Sequence, residues 1–128
     1  MFVPEHTHLP VSSAEPPALV SGVAVEDYRR SLDPFVALAS AASVTRSIRL
    51  GTGVTLVAQH DPIVLAKQVA TLDHLSGGRV VLGMGYGWNR AEAADHGVAF
   101  SERRAVAREK VLCMQALWRD EEAAFSAR

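Results

Sequence analysis

The chain has 128 residues, a formal net charge of −1 and a single cysteine, Cys113. Because 13 basic side chains balance 14 acidic ones, the composition gives no electrostatic reason to expect a nucleic acid or an anionic membrane as a partner. One thiol forms no internal disulfide, the first residues do not have the pattern of a signal peptide, and no apolar stretch is long enough to span a bilayer, so we expect a cytoplasmic protein.

The first predicted element is the end of a β-strand at residues 2–4, and Glu5, His6 and His8 follow it directly. Functional loops of parallel α/β proteins follow the carboxyl ends of strands, and these residue types bind metals or move protons. The three residues lie within four positions without a distant fourth ligand. The residues alone therefore favour a solvated loop with surface histidines over a dedicated zinc site. Residues 11–32 are predicted to form a long loop.

An internal repeat follows. Asp-Pro pairs at 33–34 and 61–62 each begin an apolar helical stretch that leads to a strand-like run, and Leu-Gly-x-Gly recurs with Gly51 and Gly83 separated by 32 residues. Aspartate is a favoured N-cap and proline is tolerated at the first helical position, so both helices have clear starts. The spacing fits one βα unit. The strand-like runs at 48–54 and from 79 onward favour a parallel sheet, because the second run shows no alternation.

Three alternate glycines end the second run: Gly83, Gly85 and Gly87. Bare backbone at a strand end lets a planar ring or a phosphate approach closely. The spacing is not that of a Rossmann fingerprint, because Trp88 follows, and the sequence contains no Walker motif. The alternative interpretation is that these glycines allow a helix to pack on the strand or shape a turn.

A short helix is predicted over 88–96 and a longer one over 101–118, followed by a tail at 119–128. Cys113 lies among apolar neighbours of the long helix, where a free thiol usually behaves as a core residue. His74 lies near a helix end and is assigned no chemistry. Three basic residues are predicted to form a solvated face of the long helix: Arg103, Arg104 and Arg108.

The chain from Phe2 to about Phe125 resembles the luciferase-like monooxygenase family, and more closely its branch of oxidoreductases that use the deazaflavin coenzyme F420. The order and spacing of six blocks carry this resemblance: VPEHTH at 3–8, DPFVALA at 33–39, IRLGTGV at 48–54, DPIVLAKQ at 61–68, ATLDHLSGGR at 70–79 and LGMGYGWN at 82–89.

The resemblance implies an α/β fold in which residues 1–128 form a single, partial domain of a (β/α)8 TIM barrel. The chain would supply about strands two to four with their helices. A reduced flavin or deazaflavin would bind at the carboxyl ends of these strands. The implied partners are a small-molecule substrate and either a second copy of the chain or a complementing half of the barrel.

The resemblance also implies roles for individual residues. Glu5 and His6 occupy positions at which deazaflavin-dependent members contact the ring and assist proton transfer, so His6 is the predicted catalytic acid–base group. A bulge with an unusual peptide bond maps to Gly53 and Val54, with Thr55 close by. In the family, the glycine-rich end of the next strand also contacts the cofactor. The resemblance places these contacts at four residues: Gly85, Tyr86, Gly87 and Asn89. Trp88 stands where a sugar-phosphate dehydrogenase of the group has its acidic glutamate, so the same substrate is not implied.

The predicted function is part of an oxidoreductase that transfers hydride between reduced coenzyme F420 and a small organic substrate. Three alternatives stay open: a monooxygenase that uses reduced FMN, a non-catalytic half-barrel interaction subunit, and a metal-binding module that uses His6 and His8. A complete barrel needs about 250 residues. A three-stranded part of it exposes strand edges and apolar faces, so a marginal fold is predicted for the chain on its own.

Overall fold

The computed structural model describes residues 1–11 and 28–126, so most of the predicted loop over 11–32 lies outside the described residues. The elements, in chain order, are strand β1 (Phe2–Val3), helix α1 (Pro34–Val44), strand β2 (Leu50–Thr52), strand β3 (Thr55–Leu56), a 3-10 turn (Val57–Gln59), helix α2 (Pro62–Ser76), strand β4 (Val80–Val81), strand β5 (Met84–Gly85), helix α3 (Arg90–Asp95) and helix α4 (Arg103–Arg119).

All described strand pairs are parallel, which confirms the predicted parallel α/β arrangement. One sheet has the order β1-β2-β4, and a second pairs β3 with β5. Each repeat unit therefore places its strand beside that of the unit before it, as helical crossovers between parallel neighbours require. The carboxyl ends of the strands consequently lie at one edge of the molecule.

The two predicted strand runs are interrupted rather than continuous. The run over 48–54 forms β2 and then breaks at a cis peptide bond between Gly53 and Val54 before β3 begins. The next run breaks between β4 and β5. The backbone explains this correction, because Gly53 N donates to Val3 O at 2.8 Å while Thr55 N donates to Gly83 O at 2.8 Å. The chain thus changes hydrogen-bonding partner within two residues.

Both Asp-Pro helix starts are confirmed. Asp33 Oδ1 accepts from Val36 N at 2.9 Å, and Asp61 Oδ1 accepts at 2.9 Å from each of two amides in the first turn of α2. Helix α2 ends at Gly77, whose φ of +71° lies in the left-handed region that favours glycine. Local residue chemistry therefore sets the ends of the helices that support the strand edge.

The core lies between the sheet and the helices. Leu38 of α1, Leu50 of β2 and Leu65 of α2 have no exposed surface, and burial of each side chain contributes about 1.5–3 kcal/mol. Met114 of α4 is also buried there, whereas Cys113 is only half-buried, so the core position predicted for the thiol is wrong. Cys113 comes one residue before the buried Met114. Because an α-helix turns about 100° per residue, the Cys113 side chain points to the side of the buried face.

The long helix also corrects the prediction of a solvated arginine face. The Arg103 guanidinium lies 3.7 Å from the centre of the Phe100 ring, and its Nε donates to Gly87 O at 3.2 Å. Arg104 and Arg108 are exposed as predicted. In the described part of the chain, no helix has both the length and the apolar character needed to cross a membrane.

Candidate active site

Three chain segments meet at the carboxyl ends of the parallel strands. The first follows β1 and contains Glu5 and His6, the second is the turn after β3, and the third follows β5 and leads into α3. Hydrogen bonds join the first segment to both of the others, through Glu5 to Leu56 and through His6 to Glu92. The predicted histidine loop therefore lies at the edge where α/β proteins place their ligand sites.

Glu5 is buried and uses both carboxylate oxygens within the protein. Oε2 accepts from Leu56 N at 2.6 Å, and Oε1 lies 2.8 Å from His60 Nε2, while the residue is 4% exposed. These contacts hold the end of β3 and the ring of His60 against the loop after β1. A direct contact of Glu5 with a cofactor stays a prediction, and the role visible in the structure is to position this backbone.

His6 is paired with a carboxylate that is distant in sequence. Its Nδ1 lies 2.9 Å from Glu92 Oε2, and the two side chains are 6% and 0% exposed. The imidazole packs edge-on against Tyr28, with ring centres 5.0 Å apart, and against Trp88, at 5.6 Å. A buried imidazole next to a carboxylate has the chemistry of a general acid or base. The carboxylate on the imidazole is therefore Glu92, 86 residues away, and not the adjacent Glu5.

A second histidine cluster lies at the surface beside this pair. His8 Nε2 is 2.9 Å from Asp95 Oδ2, and Thr7 Oγ1 is 2.7 Å from His96 Nε2. Both members of the His8–Asp95 pair are exposed. Within residues 1–11 and 28–126, no group of three or more histidine, cysteine or acidic side chains is arranged to hold a metal ion. His8 is thus a surface histidine, as the loop interpretation predicted.

The strand break brings three of the predicted cofactor-binding residues together. The Gly53–Val54 peptide bond is cis, at the position where the family resemblance implied an unusual bond. Val54 packs directly on Gly85, because a Cβ at that glycine would collide with Val54 Cγ2. Thr55 is fully buried, and its Oγ1 has no hydrogen-bond partner among the described residues. The absence of a side chain at Gly85 therefore lets Val54 of the strand break pack on this strand, which is neither helix packing nor a turn, and a cofactor contact of Gly85 stays a prediction.

The last glycine of the motif, Gly87, faces a polar side chain. Gly87 has a φ of +73°, and a Cβ built on it would lie 3.6 Å from Gln59 Nε2. Gln59 Oε1 is buried and accepts no hydrogen bond from the residues that the structure describes. The turn after β3 and the loop after β5 thus lie next to each other at Gln59, whose carboxamide oxygen has no hydrogen-bond partner among the described residues.

Tyr86 and Asn89 make different kinds of contact. Tyr86 is about half exposed and lines a cavity of about 610 Å³ against α4, with the Arg104 guanidinium 5.7 Å from its ring centre. Asn89 is buried, and its Oδ1 caps α3 by accepting from Ala91 N at 3.0 Å and Glu92 N at 3.1 Å. Asn89 therefore begins the helix that carries Glu92, which also explains why α3 is shorter than predicted.

Glu92 and Lys110 are the site residues that the sequence did not indicate. The Asn89-x-x-Glu92 spacing is typical of a helix start, but nothing local predicts that the glutamate contacts His6. Lys110 Nζ donates to Ala58 O at 2.7 Å and to His60 O at 2.6 Å, so it holds the turn after β3. Burial lowers the pKa of Lys110 below its ordinary value of 10.5, and the charge of Asp61 partly opposes this.

Comparison with known proteins gives a family and a consistent fold. Residues 1–128 match the profile of the luciferase-like monooxygenase family. An uncharacterized protein of Mycobacterium tuberculosis is 51% identical over 126 residues, which are 97% of this chain and 45% of that protein. Another protein of that organism, named as a coenzyme F420-dependent oxidoreductase, is 35% identical over 74% of this chain and 27% of its own length.

A solved structure covers the whole chain. The oxygenating constituent of 3,6-diketocamphane monooxygenase from Pseudomonas putida, in complex with FMN, superimposes with a TM-score of 0.77 at 21% identity over 100% of this chain and 32% of its own. At that identity the likeness carries the fold alone. The chain spans less than half the length of each of these relatives.

Proposed function

The chain belongs to the luciferase-like monooxygenase family, and we propose that it forms part of the cofactor-binding edge of an oxidoreductase that transfers hydride between reduced coenzyme F420 and a small organic substrate. The M. tuberculosis relative named for coenzyme F420 supports this choice of cofactor. In this proposal, residues 1–128 are one partial domain of a TIM barrel and act in the cytoplasm. A second copy or a complementing half of the barrel completes the site.

The observation that carries the proposal is the His6–Glu92 pair at the carboxyl ends of the strands. Hydride transfer to or from an organic substrate is accompanied by the movement of a proton, and imidazole exchanges protons near neutral pH. In this proposal His6 gives or takes that proton. Trp88 and Tyr28 limit the rotation of its ring.

The residues at this edge fit a flavin-type ring, which is planar with apolar faces and has a polar edge of carbonyl and N–H groups. Val54, 39% exposed at the strand break, offers an apolar surface, and Gly87 gives close access to the backbone. The unpartnered Gln59 Oε1 is an acceptor suited to a ring N–H. When bound, such a cofactor supplies the hydride, and the protein binds and orients it. The other predicted contacts stay predictions: Glu5, Gly53, Thr55, Gly85, Tyr86 and Asn89.

A monooxygenase that uses reduced FMN is the second candidate. The family whose profile the chain matches is that of the luciferase-like monooxygenases, which favours this alternative over the other non-F420 functions. The two candidates use the same strand edge and the same histidine. They differ in the cofactor that binds there, which is coenzyme F420 in one and FMN in the other. A direct comparison of the two cofactors therefore separates them.

The test uses the chain joined to the segments that precede and follow the matched region in the 51% identical M. tuberculosis relative; we call this the joined protein. We expect an absorbance and fluorescence titration to show binding of reduced coenzyme F420 in preference to FMN. Preference for FMN would establish the second candidate, and binding of neither cofactor would refute both.

A matched pair of variants tests the role of His6. His6→Gln is expected to keep cofactor binding and to lower the rate of the proton-coupled step by about 10²–10⁴-fold, the usual contribution of general acid–base catalysis. The rate is followed as the coenzyme absorbance changes on oxidation. His74→Gln, at an exposed histidine of α2, is the control and should leave the rate unchanged. Equal rates in the two variants would remove His6 from the mechanism.

A further inference from the structure

We propose that Glu92 is a positioning residue that keeps the proton of the neutral His6 imidazole on Nδ1, so that Nε2 is the atom that exchanges protons at the strand edge. This inference rests on the proposed catalytic role of His6 and adds the residue that selects its reactive nitrogen. Glu92 does not contact substrate or cofactor in this role.

The contact itself sets the direction of the hydrogen bond. An ionised carboxylate only accepts, so the 2.9 Å contact between His6 Nδ1 and Glu92 Oε2 requires Nδ1 to carry the hydrogen. Among the described residues, His6 Nε2 makes no hydrogen bond. The carboxylate thus uses one ring nitrogen and leaves the other available, which is how a second residue usually fixes the tautomer of a functional histidine.

Burial makes this pairing stronger than a surface contact. The side chain of Glu92 has no exposed surface, and its Oε1 has no hydrogen-bond partner among the residues described. A buried carboxylate is costly unless it is paired, so its bond to His6 is the compensating interaction visible here. Loss of that bond would leave the carboxylate of Glu92 without a hydrogen-bond partner in the described part of the chain.

The backbone and the neighbouring rings hold both partners in place. Asn89 Oδ1 caps α3 by accepting from Glu92 N at 3.1 Å, which fixes the start of the helix that carries the carboxylate. The His6 ring meets Tyr28 at an interplanar angle of 85° and Trp88 at 62°, so two aromatic edges restrict its rotation. Position and ring orientation are therefore set before any ligand binds.

The same helix offers a matched control. Asp95 lies three residues after Glu92 and also contacts a histidine of the loop after β1, with 2.9 Å between Asp95 Oδ2 and His8 Nε2. That pair is exposed, with side-chain exposures of 41% for His8 and 58% for Asp95. Asp95→Asn therefore removes a carboxylate that is on the same helix as Glu92 and contacts the same loop as Glu92 does, without changing the buried pair.

The experiment measures the imidazole nitrogens of the joined protein, without cofactor, by two-bond ¹⁵N–¹H NMR at a pH where the histidines are neutral. The signals of His6 are assigned with His6→Gln. In the unmodified protein we expect a single tautomer of His6 with the hydrogen on Nδ1. In Glu92→Gln the two tautomers should be mixed, because an amide both donates and accepts. Asp95→Asn should leave the His6 signals unchanged.

Two results would overturn the proposal. One is a His6 tautomer in the unmodified protein with the hydrogen on Nε2, which would mean that Glu92 is protonated and donates to Nδ1. The other is an unchanged tautomer in a folded Glu92→Gln variant. The first measurement needs no change at Glu92, so it decides the question even where Glu92→Gln fails to fold. No cofactor is present in either measurement, so failure to bind coenzyme F420 or FMN would refute the proposed function and leave this result standing.

Discussion

Two buried carboxylates at the strand edge differ in how many of their oxygens are bonded. Glu5 has one oxygen on a backbone amide and the other on His60, whereas Glu92 has one oxygen on His6 and the other unpaired among the described residues. A fully bonded carboxylate is suited to hold structure, and a half-bonded one depends on a single partner. The two glutamates therefore have separable roles: Glu5 fixes the backbone after β3, and Glu92 fixes the histidine.

Glu5→Gln tests the structural role. The neutral amide offers one acceptor oxygen in place of two anionic ones, so the bond to the Leu56 amide loses the charge-assisted strength of about 1.5–3 kcal/mol. We expect the Leu56 amide to exchange its hydrogen about 10- to 100-fold faster, measured by residue-resolved hydrogen exchange. The control is Glu102→Gln, which removes an exposed carboxylate that makes no side-chain cap on α4. Unchanged exchange at Leu56 would show that Glu5 does not hold this strand end.

Lys110 is a partly buried cation that holds the turn after β3 through two carbonyl oxygens. Lys110→Met removes both donors, so we expect the free energy of unfolding of the joined protein to fall by about 1–3 kcal/mol in urea denaturation. Arg108→Met is the control, because Arg108 is an exposed cation on the same helix. Equal losses of unfolding free energy in the two variants would show that the Lys110 ammonium does not stabilise the turn through its two hydrogen bonds.

The pH dependence of this loss has a defined sign. Burial lowers the pKa of Lys110 in the folded protein below 10.5, so between the folded and unfolded pKa values the unfolded chain binds more protons. Stability from this group therefore rises with pH in that window. The difference in unfolding free energy between the unmodified protein and Lys110→Met should grow as the pH approaches 10.5. A difference that shrinks over the same window would show that the lysine pKa is raised on folding.

At the scale of elements, one side chain joins three helix and strand ends. Arg79, just before β4, donates to Ala42 O at 3.2 Å, to Thr45 O at 3.1 Å and to Ser76 O at 2.6 Å. These carbonyls belong to the last turn of α1, its C-cap and the last residue of α2. The planar guanidinium thus satisfies carbonyls that helix ends leave without an intrahelical partner.

Arg79→Lys keeps the charge but loses the fork of donors, since an ammonium cannot reach all three carbonyls at once. We expect the free energy of unfolding of the joined protein to fall by about 2 kcal/mol or more, seen as a lower thermal midpoint. Arg46→Lys, an exposed arginine in the turn after α1, should have an effect below about 0.5 kcal/mol. Similar thermal midpoints for both variants would show that the three Arg79 hydrogen bonds do not stabilise the helix ends.

The elements that the sequence predicted well are those set by nearby residues. The Asp-Pro starts at Asp33 and Asp61 depend on contacts within four residues, and both are present. The strand breaks depend on which neighbouring strand each amide reaches, so the residues alone predicted continuous strands. The pairing of His6 with Glu92 joins residues 86 positions apart, and no local pattern encodes it.

At the scale of the whole molecule, one side of the chain exposes an apolar surface beside the last strands. Two cavities of about 550 and 610 Å³ lie along α4 and share Met84, Val111 and Gln115. Met84 is 49% exposed and Leu112 is 40% exposed. In the barrel proposed above, the next strand would pair beside β4 and β5 and cover this surface.

This surface predicts how the chain behaves on its own. A strand edge next to apolar cavities favours association and loose packing, so the 128-residue chain should bind a hydrophobic dye and unfold over a broad range of denaturant. The joined protein should bind little dye and unfold sharply, because the added strands cover β4 and β5. Met84→Glu in the chain should reduce dye binding, while Val44→Glu, on the exposed end of α1, should not. A sharp two-state transition of the monomeric chain at micromolar concentration would show instead that these strands are stable without a neighbour.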